Sequence, residues 1–183
     1  WMQRYNLNLY GGSAKVRYFI NAGLLTQDGF YKTGDEYDYS TNNGIDRFNV
    51  RSNVEFDVTS TTLFSLDLYG LDEKQNRPGN NSAAVYQALL STPPNLFPEY
   101  YVDNGKYVDQ SGDRVSSYNG KIVAGDGRIN PWALLNRAGY GTFHSTYGSF
   151  RAKVSQNLNM ITKGLSASVT FSMDSYTQAV TNR

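Results

Sequence analysis

The chain has 183 residues, enough for one ordinary domain with its own core, and a formal net charge of +1. It carries no Lys/Arg cluster and no acidic block, so neither a nucleic-acid partner nor a disordered charged tail is expected. Cysteine is absent and His144 is the single histidine, which excludes disulfides, thiolate chemistry and any multi-histidine metal site. No apolar run approaches the roughly 20 residues of a membrane-spanning helix. A β-barrel span would leave no such mark, because only alternate residues face lipid. The 14% aromatic content, with 15 Tyr and 9 Phe, suits all-β proteins and the aromatic girdles of outer-membrane barrels.

Residues 3–11 read as a strand, with Tyr5, Leu7 and Leu9 alternating with Arg4, Asn6 and Asn8. Gly11-Gly12-Ser13-Ala14-Lys15 reads as a tight turn. A second strand spans about 16–27, with Val16, Tyr18, Ile20, Ala22 and Leu24 on one face, and a polar loop follows to Gly44. The most regular stretch is Ile45 to Asp72, two strands (about 45–58 and 63–72) with only a Thr/Ser-rich turn between them. In its first half Phe48, Val50, Val54, Phe56 and Val58 alternate with Arg47, Asn49, Arg51, Asn53, Glu55 and Asp57. In its second half Phe64, Leu66 and Leu68 alternate with Ser65, Asp67 and Tyr69. Such a sheet has one apolar and one strongly polar face.

Residues 73–139 read as one long loop. Within it Ser82 to Leu90 has helix-forming composition stopped by Pro93-Pro94, Tyr100 to Val108 reads as a small hairpin around Asp103-Asn104-Gly105, and Pro131 to Leu135 could form a helical turn. Strands resume at about 140–157 and 165–174, where Leu165, Ala167, Val169, Phe171 and Met173 alternate with polar residues. Short turns follow the first, third and fifth strands, and long polar connections follow the second and fourth. Strands this long, with short turns at one end and long loops at the other, are the pattern of an outer-membrane barrel. A soluble β-sandwich with one large insertion also alternates and stays open at this point.

Several segments carry a family likeness. They are Asn6-Leu7-Asn8-Leu9-Tyr10-Gly11-Gly12-Ser13, Lys15-Val16-Arg17-Tyr18-Phe19, Ala22-Gly23-Leu24-Leu25-Thr26-Gln27-Asp28-Gly29, Phe48-Asn49-Val50-Arg51-Ser52-Asn53-Val54 and Asn130-Pro131-Trp132-Ala133. Together, and in this order, they resemble the TonB-dependent outer-membrane transporters of the SusC/RagA type. The resemblance implies an all-β fold in which the chain is an antiparallel transmembrane β-barrel segment. It would be about six strands of a larger, 22-stranded barrel with one long extracellular loop. Members of that family also have an N-terminal regulatory-like domain, a TonB box and a plug, none of which is visible here. Six strands cannot close such a barrel, and unpaired edges in lipid are not tolerated. The biological unit is therefore expected to contain more sequence than this chain.

In this reading Arg47, Asn49, Arg51, Asn53, Glu55 and Asp57 face the lumen, either contacting substrate or plug, or pairing with one another across strands. Phe97, Tyr100, Tyr101, Tyr107, Tyr118 and Trp132 are the loop aromatics that could stack on sugar rings or grip a peptide, or could simply hold the loop together. Trp132, beside Asn130-Pro131, reads as the structural member. Asp103, Asp109, Asp113 and Asp126 do not match the spacing of a calcium loop, and Asp35, Glu36 and Asp38 read as a solvated loop. With no nucleotide loop, paired-acid motif or metal cluster, neither enzymatic chemistry nor a cofactor is expected.

The resemblance implies a bacterial outer-membrane transporter for glycan or peptide fragments. Its expected partners are a SusD-like surface lipoprotein, outer-membrane lipid, and the TonB complex acting through N-terminal parts absent from this chain. A soluble carbohydrate-binding β-sandwich using the loop aromatics is the alternative, and a β-sandwich enzyme with the long loop as its cleft is a third.

Overall fold

The computed structural model describes residues 1–33, 38–94, 96, 130–136 and 138–183 in full. It also describes the backbone of six two-residue strand segments between 102 and 129, which pair as three small antiparallel ribbons. Val102–Asp103 pairs with Lys106–Tyr107 in the first of these ribbons, within the stretch where the sequence predicts a hairpin.

Six long strands form one antiparallel sheet in chain order: β1 (Met2–Gly12), β2 (Val16–Asp28), β3 (Gly44–Asp57), β4 (Thr62–Pro78), β5 (Tyr140–Asn157) and β6 (Ser166–Asn182). Each pairs with its neighbour in sequence, so the sheet is a meander without crossovers, and it stays open with β1 and β6 at its edges. The register runs from Met2 opposite Gln27 to Gly12 opposite Arg17, and from Val16 opposite Phe56 to Asp28 opposite Gly44. Residues directly opposite in an antiparallel pair share a face. Leu7, Ala22 and Val50 therefore stand in one row on one face, and Asn8, Asn21 and Arg51 in one row on the other.

Two strands run further than alternation predicts. β4 continues from the expected Asp72 to Pro78, and β6 continues from Asp174 to Asn182. Glu73, Lys74, Gln75, Asn76 and Arg77 are polar on both faces, so a period of two in hydropathy is invisible there. Backbone pairing with a neighbouring strand needs no such contrast, and the strand carries on. The connection from β4 to β5 accordingly begins at Gly79.

The chain divides into two compact units. The first comprises Trp1–Asp28, Gly44–Gln75 and Phe143–Val180, which is the sheet with its short turns. Ser13 N donates to Val16 O at 2.7 Å in the β1–β2 turn, and Thr59 and Thr62 exchange backbone hydrogen bonds in the β3–β4 turn. The β5–β6 turn places Gly164 at φ +84, a left-handed conformation that costs glycine nothing, with its N–H donated to Asn159 Oδ1 at 2.7 Å.

The second unit comprises Gly29–Asn43, Asn76–Thr142 and Thr181–Arg183. Helix α1 (Ser82–Ser91) is capped by Asn81, whose Oδ1 accepts from Ala84 N at 2.7 Å, and it ends at Thr92 ahead of the two prolines. Helix α2 (Pro131–Asn136) starts in the same way, with Asn130 Oδ1 accepting from Trp132 N at 2.9 Å. Tyr31, Val85 and Leu135 pack together between these segments, with Leu134 against them. Thr41 Oγ1 donates to Asn136 Oδ1, and Asn80 Nδ2 to the Leu134 carbonyl. Among the described residues the four buried apolar side chains (Tyr31, Val85, Ala88 and Leu135) all belong to this second unit. The sheet has none.

Candidate functional site: the two faces of the sheet

A sheet without a buried core must leave its apolar side chains somewhere. On one face lie Tyr5, Leu7 and Leu9 of β1, Tyr18, Ile20, Ala22 and Leu24 of β2, and Phe48, Val50, Val54 and Phe56 of β3. Phe64 contacts Phe56, with ring centroids 6.3 Å apart, and Phe150 meets Phe171 at 6.1 Å, which carries the same face across β4, β5 and β6. Exposure decides whether anything covers this face: Leu7 is 70% exposed, Phe48 49%, Phe171 61% and Val169 75%. Among the described residues nothing does.

The apolar run has limits along the strands. From Phe48 to Phe56 a rise of about 3.3 Å per residue gives an apolar stretch of roughly 26 Å. On β4 the run ends after Leu68 and Gly70, and the next position on that face is Asp72. Its Oδ1 sits 2.8 Å from His144 Nε2 and accepts from Thr146 Oγ1 at 2.9 Å. At the other end Thr62 Oγ1 donates to Gln156 Oε1 at 2.6 Å. Polar clusters thus bound the apolar stretch at both ends.

The opposite face is hydrogen-bonded from strand to strand. Arg17 holds Glu55 at 3.0 Å through Nε and Asp57 at 2.8 and 3.2 Å through its two terminal nitrogens. Asn49 donates to Asn21, and Asn21 to Asn8 at 2.7 Å, a ladder of three amides across β1, β2 and β3. Arg47 pairs with Glu73, which also accepts from Gln75. Asn53 Nδ2 donates to Asp67, while Asn53 Oδ1 accepts from Arg51 Nε at 3.2 Å. Tyr147 donates to Asp174 at 3.2 Å and stacks at a tilt against Tyr69. The six residues singled out from alternation (Arg47, Asn49, Arg51, Asn53, Glu55 and Asp57) therefore share one face, and each has a polar partner there.

One concavity opens on this polar side, about 190 Å³ in volume and lined by Arg51, Asn53, Asp67, Leu68, Tyr69, Ser149 and Arg151. Arg51 and Asn53 were singled out from the sequence as facing residues, Tyr69 appeared only as an alternating residue of its strand, and Ser149 and Arg151 were not named. Their only signal was membership of the polar phase of β4 and β5, and alternation does not say which strands meet.

Of the loop aromatics, Phe97, Tyr100 and Tyr101 lie outside the described residues, as do the side chains of Tyr107 and Tyr118. Asp109, Asp113, Asp126 and the acidic pair Asp35-Glu36 also lie outside them. Trp132 is half-buried at the start of α2, its N–H bonded to the Asn130 cap and its carbonyl accepting from Asn136 Nδ2 at 3.1 Å. The second unit instead exposes Phe30 and Tyr86, which flank the buried Tyr31 ring. Among the described residues no group of three acidic or histidine side chains stands close enough to hold a metal ion, and no helix is long and apolar enough to cross a membrane.

No family model, no curated protein and no solved structure matches the chain.

Proposed function

We propose that the chain forms part of the wall of an outer-membrane β-barrel transporter of the SusC/RagA type, importing glycan or peptide fragments. The single observation that carries this reading is the exposed apolar face of the sheet, backed by a polar face whose side chains bond one another. At a barrel strand tilt of about 35–45°, an apolar stretch of roughly 26 Å along the strand rises about 19–22 Å along the membrane normal, most of the band of about 25 Å by which barrels meet hydrocarbon. Its polar ends, at Asp72 with His144 and at Thr62 with Gln156, suit the two interfaces. The exposed edges β1 and β6 suit a sheet continued by further strands, since a closed barrel is what removes edges in lipid. A SusD-like lipoprotein and TonB enter this proposal only through the resemblance of the sequence.

The soluble carbohydrate-binding alternative needs a second sheet on the apolar face. Fractionation of source cells separates the two. The transporter reading expects the protein in the outer membrane, resisting extraction by high salt and alkali, and monodisperse only in detergent. Recovery in the soluble fraction, monodisperse in plain buffer, overturns it.

A further inference from the structure

We infer that the concavity between β3, β4 and β5 is a subsite for an anionic group, a carboxylate in the first instance, on the ligand that meets the polar face. Arg51 and Arg151 both line it, and among the described residues neither has a carboxylate within ion-pairing distance. What sets Arg51 and Arg151 apart is that both line one recess; Arg4, on the edge strand of the same face, also lacks a carboxylate partner among the described residues but does not line it. Arg17 is occupied by Glu55 and Asp57, and Arg47 by Glu73. Two guanidiniums lining one recess without an ion pair among the described residues leave it a local excess of positive charge, in a form suited to a carboxylate.

The recess is also pre-organised. Asp67 accepts from Asn53 Nδ2, which fixes the orientation of that amide, and the Asn53 carbonyl oxygen then takes Arg51 Nε–H at 3.2 Å. That chain uses one of the five guanidinium donors of Arg51 and leaves the four on its terminal nitrogens. Those donors suit the two oxygens of a carboxylate, which a guanidinium binds in a fork. Tyr69 and Ser149 also line the recess, and the Tyr69 ring lies 5.8 Å from that of Tyr147. With one carboxylate and two guanidiniums the recess carries a net charge of +1, from Arg51 (+1), Arg151 (+1) and Asp67 (−1). At about 190 Å³, and open on one side to solvent, the recess can take an acidic group of a ligand that continues along the polar face.

This inference rests on the transporter reading for its ligand, a carboxylate-bearing saccharide or an acidic peptide, but its test does not depend on transport. Binding to the purified protein, in whichever solvent keeps it monodisperse, is measured by calorimetry for trigalacturonate, its neutral counterpart trigalactose, N-acetyl-Asp-Asp and N-acetyl-Asn-Asn. At least one of the two carboxylate probes is expected to bind at least about tenfold more tightly than its neutral counterpart, and to weaken as salt rises. Preference for trigalacturonate assigns a saccharide source, and preference for N-acetyl-Asp-Asp a peptide source. Arg51→Gln and Arg151→Gln should each weaken that binding by about tenfold, while Arg17→Gln, whose guanidinium is already engaged, should leave it unchanged. Circular dichroism of each variant confirms that the sheet is retained. Equal binding of acidic and neutral probes, no binding of either acid, or equal loss in Arg17→Gln would each overturn the subsite. The membrane fractionation described above is read separately, so a failed subsite and a failed transporter reading are distinguishable.

Discussion

A Cβ on Gly23 would stand 2.5 Å from Oδ1 of Asn49 and 3.1 Å from that of Asn6. Gly23 lies between these two asparagines in register, on β2, so the polar face admits no side chain at that point. Gly23→Val should therefore push Asn49 out of its bond to Asn21, at a cost of about 1–3 kcal/mol typical of overpacking. Chemical denaturation checks the magnitude. The double variant Gly23→Val with Asn49→Ala should recover part of the loss, because the obstruction is the Asn49 side chain. No recovery would place the strain in the backbone instead.

The facing of β3 makes a sharper prediction. Val54 lies on the apolar face, opposite Tyr18, while Asn53 lies beside Asp67 on the polar one. An arginine directed at lipid near mid-membrane costs about 2–4 kcal/mol. On the transporter proposal, Val54→Arg should thus cut the amount of protein assembled in the outer membrane, measured by fractionation and heat-modifiability. Asn53→Arg, which puts a cation next to a carboxylate, should assemble close to normally. Equal behaviour of the two variants would contradict the assigned facing.

Thr62 joins two turns. Its hydroxyl accepts from Thr59 Oγ1 at 2.8 Å and donates to Gln156 at 2.6 Å, tying the β3–β4 turn to the end of β5. Thr62→Val preserves shape and removes both bonds, so a loss of about 1 kcal/mol is expected. Hydrogen exchange should quicken at Thr59, Thr62 and Asn157 while the middle of the strands is unchanged.

In the second unit, Asn130 is 5% exposed and accepts from both Trp132 N and Ala133 N. Asn130→Ala should destabilise α2 by about 1 kcal/mol, the usual worth of such a cap. The readout is local: faster exchange over residues 131–136, with the sheet amides unaffected. If sheet protection fell in parallel, the two units would be one cooperative block.

The strands of the sheet were legible because hydropathy alternates along them. Phe48, Val50, Val54 and Phe56 against Arg47, Asn49, Arg51 and Asn53 leave one assignment of faces open and no other, since a strand has a period of two. Helix α1 was legible through its alanines and the proline stop, and the start of α2 through Asn130-Pro131. Where the contrast between faces disappears, past Asp72 and Asp174, the strand ends were not legible, because only hydrogen bonds to a neighbour extend β4 and β6 there.

By itself, then, the sequence determined that this protein has a two-faced sheet and which residues share each face, because facing is a local property of an extended chain. Only the tertiary structure decided which strands lie side by side and how each is registered against the next. That ordering draws Tyr69, Ser149 and Arg151 around Arg51 and Asn53, residues up to a hundred positions apart in the chain. It also leaves the apolar face uncovered among the described residues while the small core forms in the second unit, from Tyr31, Val85 and Leu135. Whether an apolar face meets protein depends on what else folds onto it, a non-local matter that no period along one strand encodes.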